Sequence, residues 1–254
     1  MDIYTAFAAY YDRCMEEIPY EEWSRLVVGL LEKDGIRDGL VLELGCGTGT
    51  MTELLAEAGY DMIGVDASGD MLSAAMEKRA QSGSSILYLQ QDMREFELYG
   101  TVRAVVSVCD TMNYLLAEED LLLVFRLVNN YLDPGGLFLF DLKTEHHFRD
   151  VVGEQSFVQN EEDACVIWEN YYYEDAQVNE YAVTIFARTE EGSYERTQEL
   201  HYQRPYSIEQ ITRLLTQAGL ELAAVYGETG DCPPDEDSCR IYVLAREHGK
   251  MSGQ

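Results

Sequence analysis

Basic residues are scarce in this sequence, with 18 Lys and Arg against 47 Asp and Glu and a formal net charge of −29. The few arginines are scattered singly, and no cluster of Lys and Arg occurs. Because proteins that bind DNA or RNA need positive charge beside the phosphates, the composition argues against a nucleic-acid substrate. Simple solubility is the plainer explanation of the acidity.

Long apolar stretches are absent as well. No run reaches the roughly 20 residues of a membrane-spanning helix. The first residues, Met1–Tyr4, lack the basic and apolar regions that mark a signal peptide. We therefore expect a cytoplasmic protein without a membrane partner.

The six cysteines follow neither a disulfide pattern nor a zinc pattern. Cys46 lies among glycines, Cys109 ends an apolar run and Cys165 lies in an alternating run, as expected of reduced thiols. Cys232 and Cys239 are too far apart for a C-x-x-C pair, and no histidine pattern accompanies them. No metal site is predicted.

The most informative segment is Val41–Thr50, which reads V-L-E-L-G-C-G-T-G-T. Its apolar start, its alternate glycines and the amphipathic run that follows predict a strand, a tight turn and a helix. Glycine lets a ligand approach the backbone closely, so the loop is predicted to bind a nucleotide-like cofactor. The third glycine comes one position early for a dinucleotide loop, and the lysine of a P-loop is missing. Glu43 favours a ligand with a positively charged end.

Two strands with acidic ends follow the glycine loop. Met62–Ser68 predicts a strand ending in Asp66, about twenty residues after the loop, where an acid can accept hydrogen bonds from ribose hydroxyls. Leu87–Phe96 predicts a strand followed by Asp92. Further on, Ala104–Leu116 predicts a fully buried strand, then a polar turn and a helix.

Together with L-D-P-G-G and the strand within Leu132–Phe140, these segments resemble, in order, the motifs of the class I S-adenosylmethionine (SAM) methyltransferases. The resemblance implies an α/β, Rossmann-like fold with a seven-stranded, mostly parallel sheet and helices on both faces. It also implies that SAM is the cofactor. The residues that it places against SAM are Tyr11, Glu43, Gly45, Cys46, Gly47, Gly49, Asp66, Ala67, Met71, Asp92, Met93, Cys109 and Asp110.

The same resemblance implies individual roles. Glu43 and the Cys109–Asp110 turn face the amino-acid end of SAM, Asp66 holds the ribose, and Asp92 with the Met93 backbone holds the adenine. Simpler alternatives stay open for two of these residues. Asp66 could cap the helix that follows it, and Asp92 could be an acidic residue of a surface loop. The chain could be an NAD-dependent oxidoreductase only if its third and fourth segments matched the methyltransferase motifs by chance.

Four regions are predicted along the chain. Residues 1–38 read as helical, and Y-Y-D at Tyr10–Asp12 resembles the N-terminal lid of small-molecule methyltransferases, with core packing as the alternative. Residues 39–149 alternate strands and helices and form the SAM-binding core. Residues 150–205 predict an inserted antiparallel β meander that covers the substrate. Residues 206–247 return to the core with a last helix and two strands. The helices predicted in the core are Thr52–Ala58, Gly69–Arg79 and Glu118–Tyr131.

Methyl transfer needs no catalytic triad, because SAM carries the reactive group and the protein supplies placement. Asp110 and Asn113 have the best claim as catalytic residues, since the resemblance of the fourth segment to the family's motif implies that they lie beside the methionine part of SAM. His147, like its neighbour His146, follows the fifth strand and is a candidate base near neutral pH. The alternative for this pair is that neither histidine reacts.

The insertion supplies the candidate substrate-binding residues Trp168, Tyr171, His201 and Arg204. Its aromatic residues favour a hydrophobic strand face, and the alternative is an aromatic pocket for a planar or cationic molecule. Strand alternation predicts that only one of His201 and Arg204 points inward.

We therefore predict a SAM-dependent methyltransferase, monomeric or homodimeric, that acts on a small-molecule acceptor. Neither N-P-P-Y nor Pro-Cys follows the strand of the fourth segment, which disfavours methylation of nucleic-acid bases. Two alternatives stay open. A basic stripe beside the cleft would favour a tRNA nucleoside as acceptor, and a closed cleft would favour SAM binding without transfer.

Overall fold

The strands form two separate sheets in the computed structural model, which describes residues 4, 8–15, 18–189 and 191–250. The strands, in chain order, are β1 (Leu40–Leu44), β2 (Asp61–Asp66), β3 (Leu87–Gln90), β4 (Val102–Ser107), β5 (Leu132–Lys143), β6 (Ser156–Asn160), β7 (Ala164–Tyr173), β8 (Val178–Arg188), β9 (Tyr194–Gln203), β10 (Leu220–Tyr226) and β11 (Arg240–Glu247). The larger sheet has the order β10-β11-β5-β4-β1-β2-β3, and the smaller has the order β6-β7-β8-β9. Strands β1 to β5 are parallel, whereas β11 is antiparallel to both of its neighbours.

Helices cover both faces of the larger sheet, as the sequence predicts. They are α1 (Ala8–Cys14), α2 (Tyr20–Lys33), α3 (Thr50–Glu57), α4 (Gly69–Ser82), α5 (Glu118–Tyr131) and α6 (Ile208–Ala218). Side chains of α2 and α3 pack on one face, and those of α5 and α6 pack on the other. The S-x-x-Q sequence at Ser207 forms a capping box, a pattern that marks the start of a helix, and α6 ends at Gly219 in the left-handed conformation.

The central strands are buried on both sides, which explains their continuous apolar sequences. In β1, Val41 packs with the α2 and α3 layer, whereas its neighbour Leu42 packs with the α5 and α6 layer. Val106 and Val105 of β4 divide between the layers in the same way. Because successive side chains of a strand point to opposite faces, a strand between two helical layers needs apolar residues at every position.

The smaller sheet is the inserted antiparallel meander, so the predicted fold class is confirmed. The sequence of this region contains three alternating runs, at 165–173, 178–188 and 194–204, which correspond to β7, β8 and β9. A fourth strand, β6, pairs with β7 although most of its side chains are exposed. The inner face of this sheet buries Val166, Val183 and Ile185, and Tyr10 and Tyr11 of α1 pack against them. The insertion is therefore held next to the N-terminal helix.

Within the described ranges, every helix is too short or too polar to cross a lipid bilayer. Short turns of other helical types follow two core strands. A 3₁₀ turn at Thr111–Tyr114 follows β4, and a π-helical turn at His147–Val152 follows β5. Both turns lie at the carboxyl edge of the larger sheet, the edge where ligands bind in open α/β folds.

Candidate active site

A cleft of about 640 Å³ opens at the carboxyl edge of β1, β2 and β4. Its volume lies within the roughly 300 to 1,000 Å³ range of ordinary ligand pockets. Among the residues predicted to contact the cofactor, all except Gly49 and Asp110 line it. Those lining residues are Tyr11, Glu43, Gly45, Cys46, Gly47, Asp66, Ala67, Met71, Asp92, Met93 and Cys109.

The glycine loop uses its glycines for two different purposes. Gly47, at φ +53°, lines the cleft, and among the described residues a Cβ there would approach Met71 Cε, at 3.9 Å. Gly49, at φ +76°, directly precedes α3, and a Cβ there would collide with the Tyr88 hydroxyl. Gly47 therefore leaves room for a ligand, whereas Gly49 allows the start of α3 to pack against β3.

Asp66 at the end of β2 organises the cofactor side of the cleft. Its carboxylate accepts hydrogen bonds from the Gly47 N–H and the Ser68 N–H, each at 2.8 Å. The cap of α4 is Ser68, whose hydroxyl accepts from the Met71 N–H, so the capping alternative for Asp66 is wrong. Burial raises the pKa of Asp66 above its ordinary value. The carboxylate therefore joins the glycine loop to the start of α4 at the wall of the cleft.

Glu43 lies in the floor of the cleft and is 2 % exposed. The hydroxyl of Thr52 donates a hydrogen bond to it. Burial raises the pKa of Glu43 to about 8. A bound cation would repay part of the cost of burying this carboxylate, so the position suits the ammonium or sulfonium of SAM.

Asp92 lines the cleft and follows β3. Its carboxylate accepts from the Arg94 backbone N–H at 2.9 Å and from the Arg94 guanidinium at 2.6 Å. These hydrogen bonds hold the pKa of Asp92 below its ordinary value. An ionised Asp92 can accept a hydrogen bond from a ligand amino group, and the side chain of Met93, packed on the core, lies next to it.

The turn after β4 is strained at two consecutive residues. Cys109 and Asp110 have φ values of +63° and +54°, a region that costs a side-chain-bearing residue about 1 to 3 kcal/mol. The Asp110 N–H donates to Asp141 Oδ1 at 2.8 Å and thereby holds the turn. Cys109 lines the cleft, whereas Asp110 is directed away from it.

Asp110 belongs to a buried ion cluster outside the cleft lining. Its carboxylate lies 3.2 Å from Lys143 Nζ and 3.0 Å from Arg240, and it accepts from Gln203 Nε2 at 2.7 Å. Arg240 also pairs with Asp141. Burial acts to raise the pKa of Asp110, but the charges of Lys143 and Arg240 outweigh it and hold the pKa below its ordinary value. The cluster joins the turn after β4 to β5, β9 and β11.

The other two predicted catalytic residues also lie outside the cleft lining. Asn113 is fully buried, and its amide donates to the Arg204 carbonyl at 2.8 Å while accepting from the Lys143 N–H at 2.9 Å. His147 lies in the π-helical turn, where burial and the charge of Lys143 lower its pKa to about 4. Asn113 thus joins three segments, and His147 is a neutral imidazole near pH 7.

The four predicted substrate-binding residues divide between the two faces of the smaller sheet and its end. Trp168 packs on the inner face with Val166 and Val183, whereas Tyr171 is exposed on the outer face. His201 is buried on the inner face. Arg204 follows β9, donates to the Leu116 carbonyl at 2.9 Å and lies over the ring of Tyr206. Of His201 and Arg204, only His201 points toward the interior, as the alternation of side chains along a strand predicts.

Sequence reasoning missed the polar link between α1 and the glycine loop. Thr48 Oγ1 donates to Asp12 Oδ1 at 2.6 Å, and Lys78 of α4 pairs with Asp12 Oδ2 at 2.7 Å. Tyr4, Tyr20 and Tyr114 were also missed, although they line the cleft. The Y-Y-D pattern was the available signal for Asp12, but its partners lie 36 and 66 positions further along the chain.

Comparisons with known proteins agree with this geometry. The family model described as "Methyltransferase domain" matches residues 41–136. A protein of Geobacillus sp. (strain WCH70) with the provisional name of a methyltransferase is 35% identical over 250 residues, covering 96% of this chain and 99% of that protein. A Streptomyces venezuelae enzyme named dTDP-3-amino-3,4,6-trideoxy-alpha-D-glucopyranose N,N-dimethyltransferase is 34% identical over 101 residues, 40% of this chain and 41% of that one.

A solved structure resembles nearly the whole fold. The SAM-dependent methyltransferase from Clostridium acetobutylicum ATCC 824 superimposes with a TM-score of 0.85 at 26% identity, covering 98% of this chain and 100% of that one. The cleft, its glycine loop and its acidic residues fit the cofactor of that family. This chain therefore belongs to the class I SAM-dependent methyltransferases and is an enzyme that uses SAM.

Proposed function

We propose that this enzyme transfers the methyl group of SAM to a small-molecule acceptor. The observation that carries the proposal is a group of tyrosines in the wall of the cleft, beside which we place the acceptor. Tyr4, Tyr11, Tyr20 and Tyr114 line that cleft, and the inner face of the smaller sheet packs against Tyr4 and Tyr11. Aromatic walls under a protein cover suit a compact acceptor better than a polymer.

The residues of the cleft supply the placement that the reaction needs. We assign Gly47, Glu43 and Asp66 to the amino-acid and ribose parts of SAM, and Asp92 with Met93 to the adenine. SAM, when bound, supplies an electrophilic methyl group, whose bond to sulfur breaks with its electron pair left on sulfur as the bond to the acceptor forms. Holding two reactants at attack distance accounts for a large part of the rate enhancement in such displacements.

The regions of the chain receive roles on the same basis. We assign residues 1–38 as a lid and residues 39–149 as the SAM-binding core. The insertion at 150–205 would cover the acceptor, and residues 206–247 would complete the core. The contacts of Tyr10 and Tyr11 with the inner face of the smaller sheet support a joint lid of N-terminal helix and insertion.

The charges near the cleft disfavour a tRNA acceptor. Arg94 lines the cleft but pairs with Asp92, and Lys78 beside the glycine loop pairs with Asp12. Phosphate contacts need cations that are available to the nucleic acid. The Streptomyces venezuelae relative, named for a nucleotide-linked amino sugar, supports an acceptor of small size and does not identify it.

A binding and turnover assay tests the proposal. Calorimetry should give saturable SAM binding by the purified protein and none of NAD. Release of S-adenosylhomocysteine should then be followed with a panel of small amines, alcohols and amino sugars, using Asp66→Ala as the matched variant with weakened SAM binding. If the protein binds SAM but forms no S-adenosylhomocysteine with any compound of the panel or with unfractionated tRNA, the result would contradict the proposal and favour SAM binding without transfer.

A further inference from the structure

A buried row of polar groups leads away from the acceptor end of the cleft. Tyr114 lines the cleft, and its hydroxyl lies 3.4 Å from His201 Nδ1. On the other side of the imidazole, His201 Nε2 lies 3.3 Å from Glu199 Oε2. His201 is 3% exposed and Glu199 is 5% exposed. The imidazole of His201 thus lies between a residue of the cleft wall and a buried carboxylate.

The fold brings these groups together from distant parts of the chain. Glu199 and His201 are two residues apart on β9, so both point to the inner face of the smaller sheet. Tyr114 comes from the 3₁₀ turn that follows β4, at the strained end of the core sheet. The insertion therefore places two buried polar side chains directly behind a residue of the cleft wall.

Tyr4 contacts all three side chains of this row. Its N–H donates to Glu199 Oε2 at 2.8 Å, its hydroxyl lies 2.5 Å from the Tyr114 hydroxyl, and its ring packs edge-on against His201 at 4.8 Å between centroids. Its carbonyl accepts from the Ser68 hydroxyl at 2.8 Å, beside Asp66. One residue therefore ties the row to the cofactor side of the cleft.

We propose that Tyr114, His201 and Glu199 form a proton relay for methyl transfer, and that the acceptor is an amine or a hydroxyl compound. This inference rests on the proposed function, because an acceptor that loses an N–H or O–H proton on methylation needs a group to take it. The acceptor proton passes to the Tyr114 oxygen while Tyr114 gives its own proton to His201 Nδ1. His201 begins as a neutral imidazole with its hydrogen on Nε2, and it ends as an imidazolium beside the Glu199 carboxylate.

The surroundings explain why the proton moves along the row instead of staying on Tyr114. Burial and the charge of Asp110 raise the pKa of the Tyr114 phenol far above its ordinary value. A phenol that stays protonated can accept a proton only if it releases one. Among the residues that the structure describes, those that face the imidazole include Tyr4, Tyr114, Glu199 and, across the β8–β9 ladder, Tyr181. Glu199 is the acid among them, so it is the group that stabilises the imidazolium.

Nitrogen NMR of the imidazole rings tests the relay without knowledge of the acceptor. The chain has four histidines, so the His201 signal can be assigned by its loss in His201→Gln. In SAM-saturated protein at about pH 7.5, the relay requires hydrogen on Nε2 and a lone pair on Nδ1. Tyr114→Phe should shift the Nδ1 resonance and leave SAM affinity unchanged. Hydrogen on Nδ1, or a doubly protonated ring, would overturn the proposal.

Kinetic measurements provide a second test. They use an amine or alcohol from the panel that the wild-type enzyme methylates. Tyr114→Phe and His201→Gln should lower kcat by roughly 100- to 10,000-fold, as loss of general base catalysis does, without changing the SAM affinity. Tyr202→Phe, on the exposed face of the same strand, is the matched control and should retain turnover. Turnover of Tyr114→Phe within about threefold of wild type would overturn the relay while the proposed function stands. Absence of wild-type turnover with every probe would contradict the proposed function, and the NMR result would still decide the relay.

Discussion

At the scale of single residues, Asp66 is the polar group on which cofactor binding should depend most. Asp66→Ala removes the acceptor of two backbone hydrogen bonds and leaves the Gly47 and Ser68 N–H groups without it. We expect SAM affinity to fall by about 1 to 3 kcal/mol, which calorimetry would measure. Asp61→Ala, at the exposed opposite end of the same strand, is the control. Equal SAM affinities of the two variants would contradict the role of Asp66.

The raised pKa of Glu43 predicts that the stability of the protein depends on pH. Its pKa of about 8 in the folded protein lies well above that of an unfolded glutamate, near ~4.3. Between these values the folded state keeps a proton that the unfolded state has lost. The free energy of unfolding therefore falls as pH rises, by at most about 1.4 kcal/mol per pH unit.

Glu43→Gln cannot lose that proton, so its stability relative to wild type should increase from about pH 5 to about pH 8. Urea unfolding at several pH values measures this difference. Glu57→Gln, at the exposed end of α3, should keep the wild-type pH dependence. Parallel curves for wild type and Glu43→Gln would show that Glu43 is ionised throughout this range.

At the scale of elements, the strand–loop–helix unit predicts opposite effects for two neighbouring glycines. Gly49→Ala places a Cβ against the Tyr88 hydroxyl, so it should lower the melting temperature even without ligand. Gly47→Ala adds a methyl group at the cleft, so it should lose SAM affinity with a smaller loss of stability, about 1 to 2 kcal/mol for its left-handed backbone. Thermal unfolding and SAM titration of both variants distinguish these outcomes. A larger stability loss in Gly47→Ala would reverse the assignment.

The ion pair between Asp12 of helix α1 and Lys78 predicts that its loss changes the dynamics of this helix locally. The Asp12–Lys78 pair is partly exposed, with 45% and 30% of the side chains accessible, so it contributes about 0 to 1 kcal/mol. Asp12→Asn should therefore hardly change the melting temperature. It should speed amide hydrogen exchange in Ala8–Cys14, where the carboxylate connects the helix to the glycine loop.

The control for this prediction is Asp34→Asn. Asp34 forms a similarly exposed pair with Arg246, away from the cleft. Its variant should leave exchange in α1 unchanged. Slow exchange in α1 of Asp12→Asn would mean that the contacts of Tyr10 and Tyr11 with the smaller sheet hold the helix by themselves.

At the scale of the whole molecule, the net charge of −29 implies strong self-repulsion. Salt screens this repulsion, since the Debye length falls from about 30 Å at 0.01 M to about 8 Å at 0.15 M. The melting temperature should therefore rise with salt over this range, measured by thermal unfolding with an uncharged osmolyte as control. A falling melting temperature would mean that ion pairs such as Arg240–Asp141 outweigh the repulsion.

The element order and the cofactor loop follow from local patterns in the sequence. Apolar periodicity and glycine placement act over a few residues, so β1, the loop and α3 can be predicted locally, and so can the capping box at Ser207. Strand β6 escaped prediction because its side chains are mostly exposed and lack the alternation that marks a half-buried strand.

Which polar residues face the cleft, in contrast, depends on contacts between distant parts of the chain. Asp110 follows the predicted strand but is directed toward Lys143 and Arg240, the latter 130 positions away. Tyr114 meets His201 across 87 positions of sequence. Such partners cannot be read from local patterns, because the direction of a buried polar side chain depends on the charges and hydrogen-bonding groups that folding brings next to it.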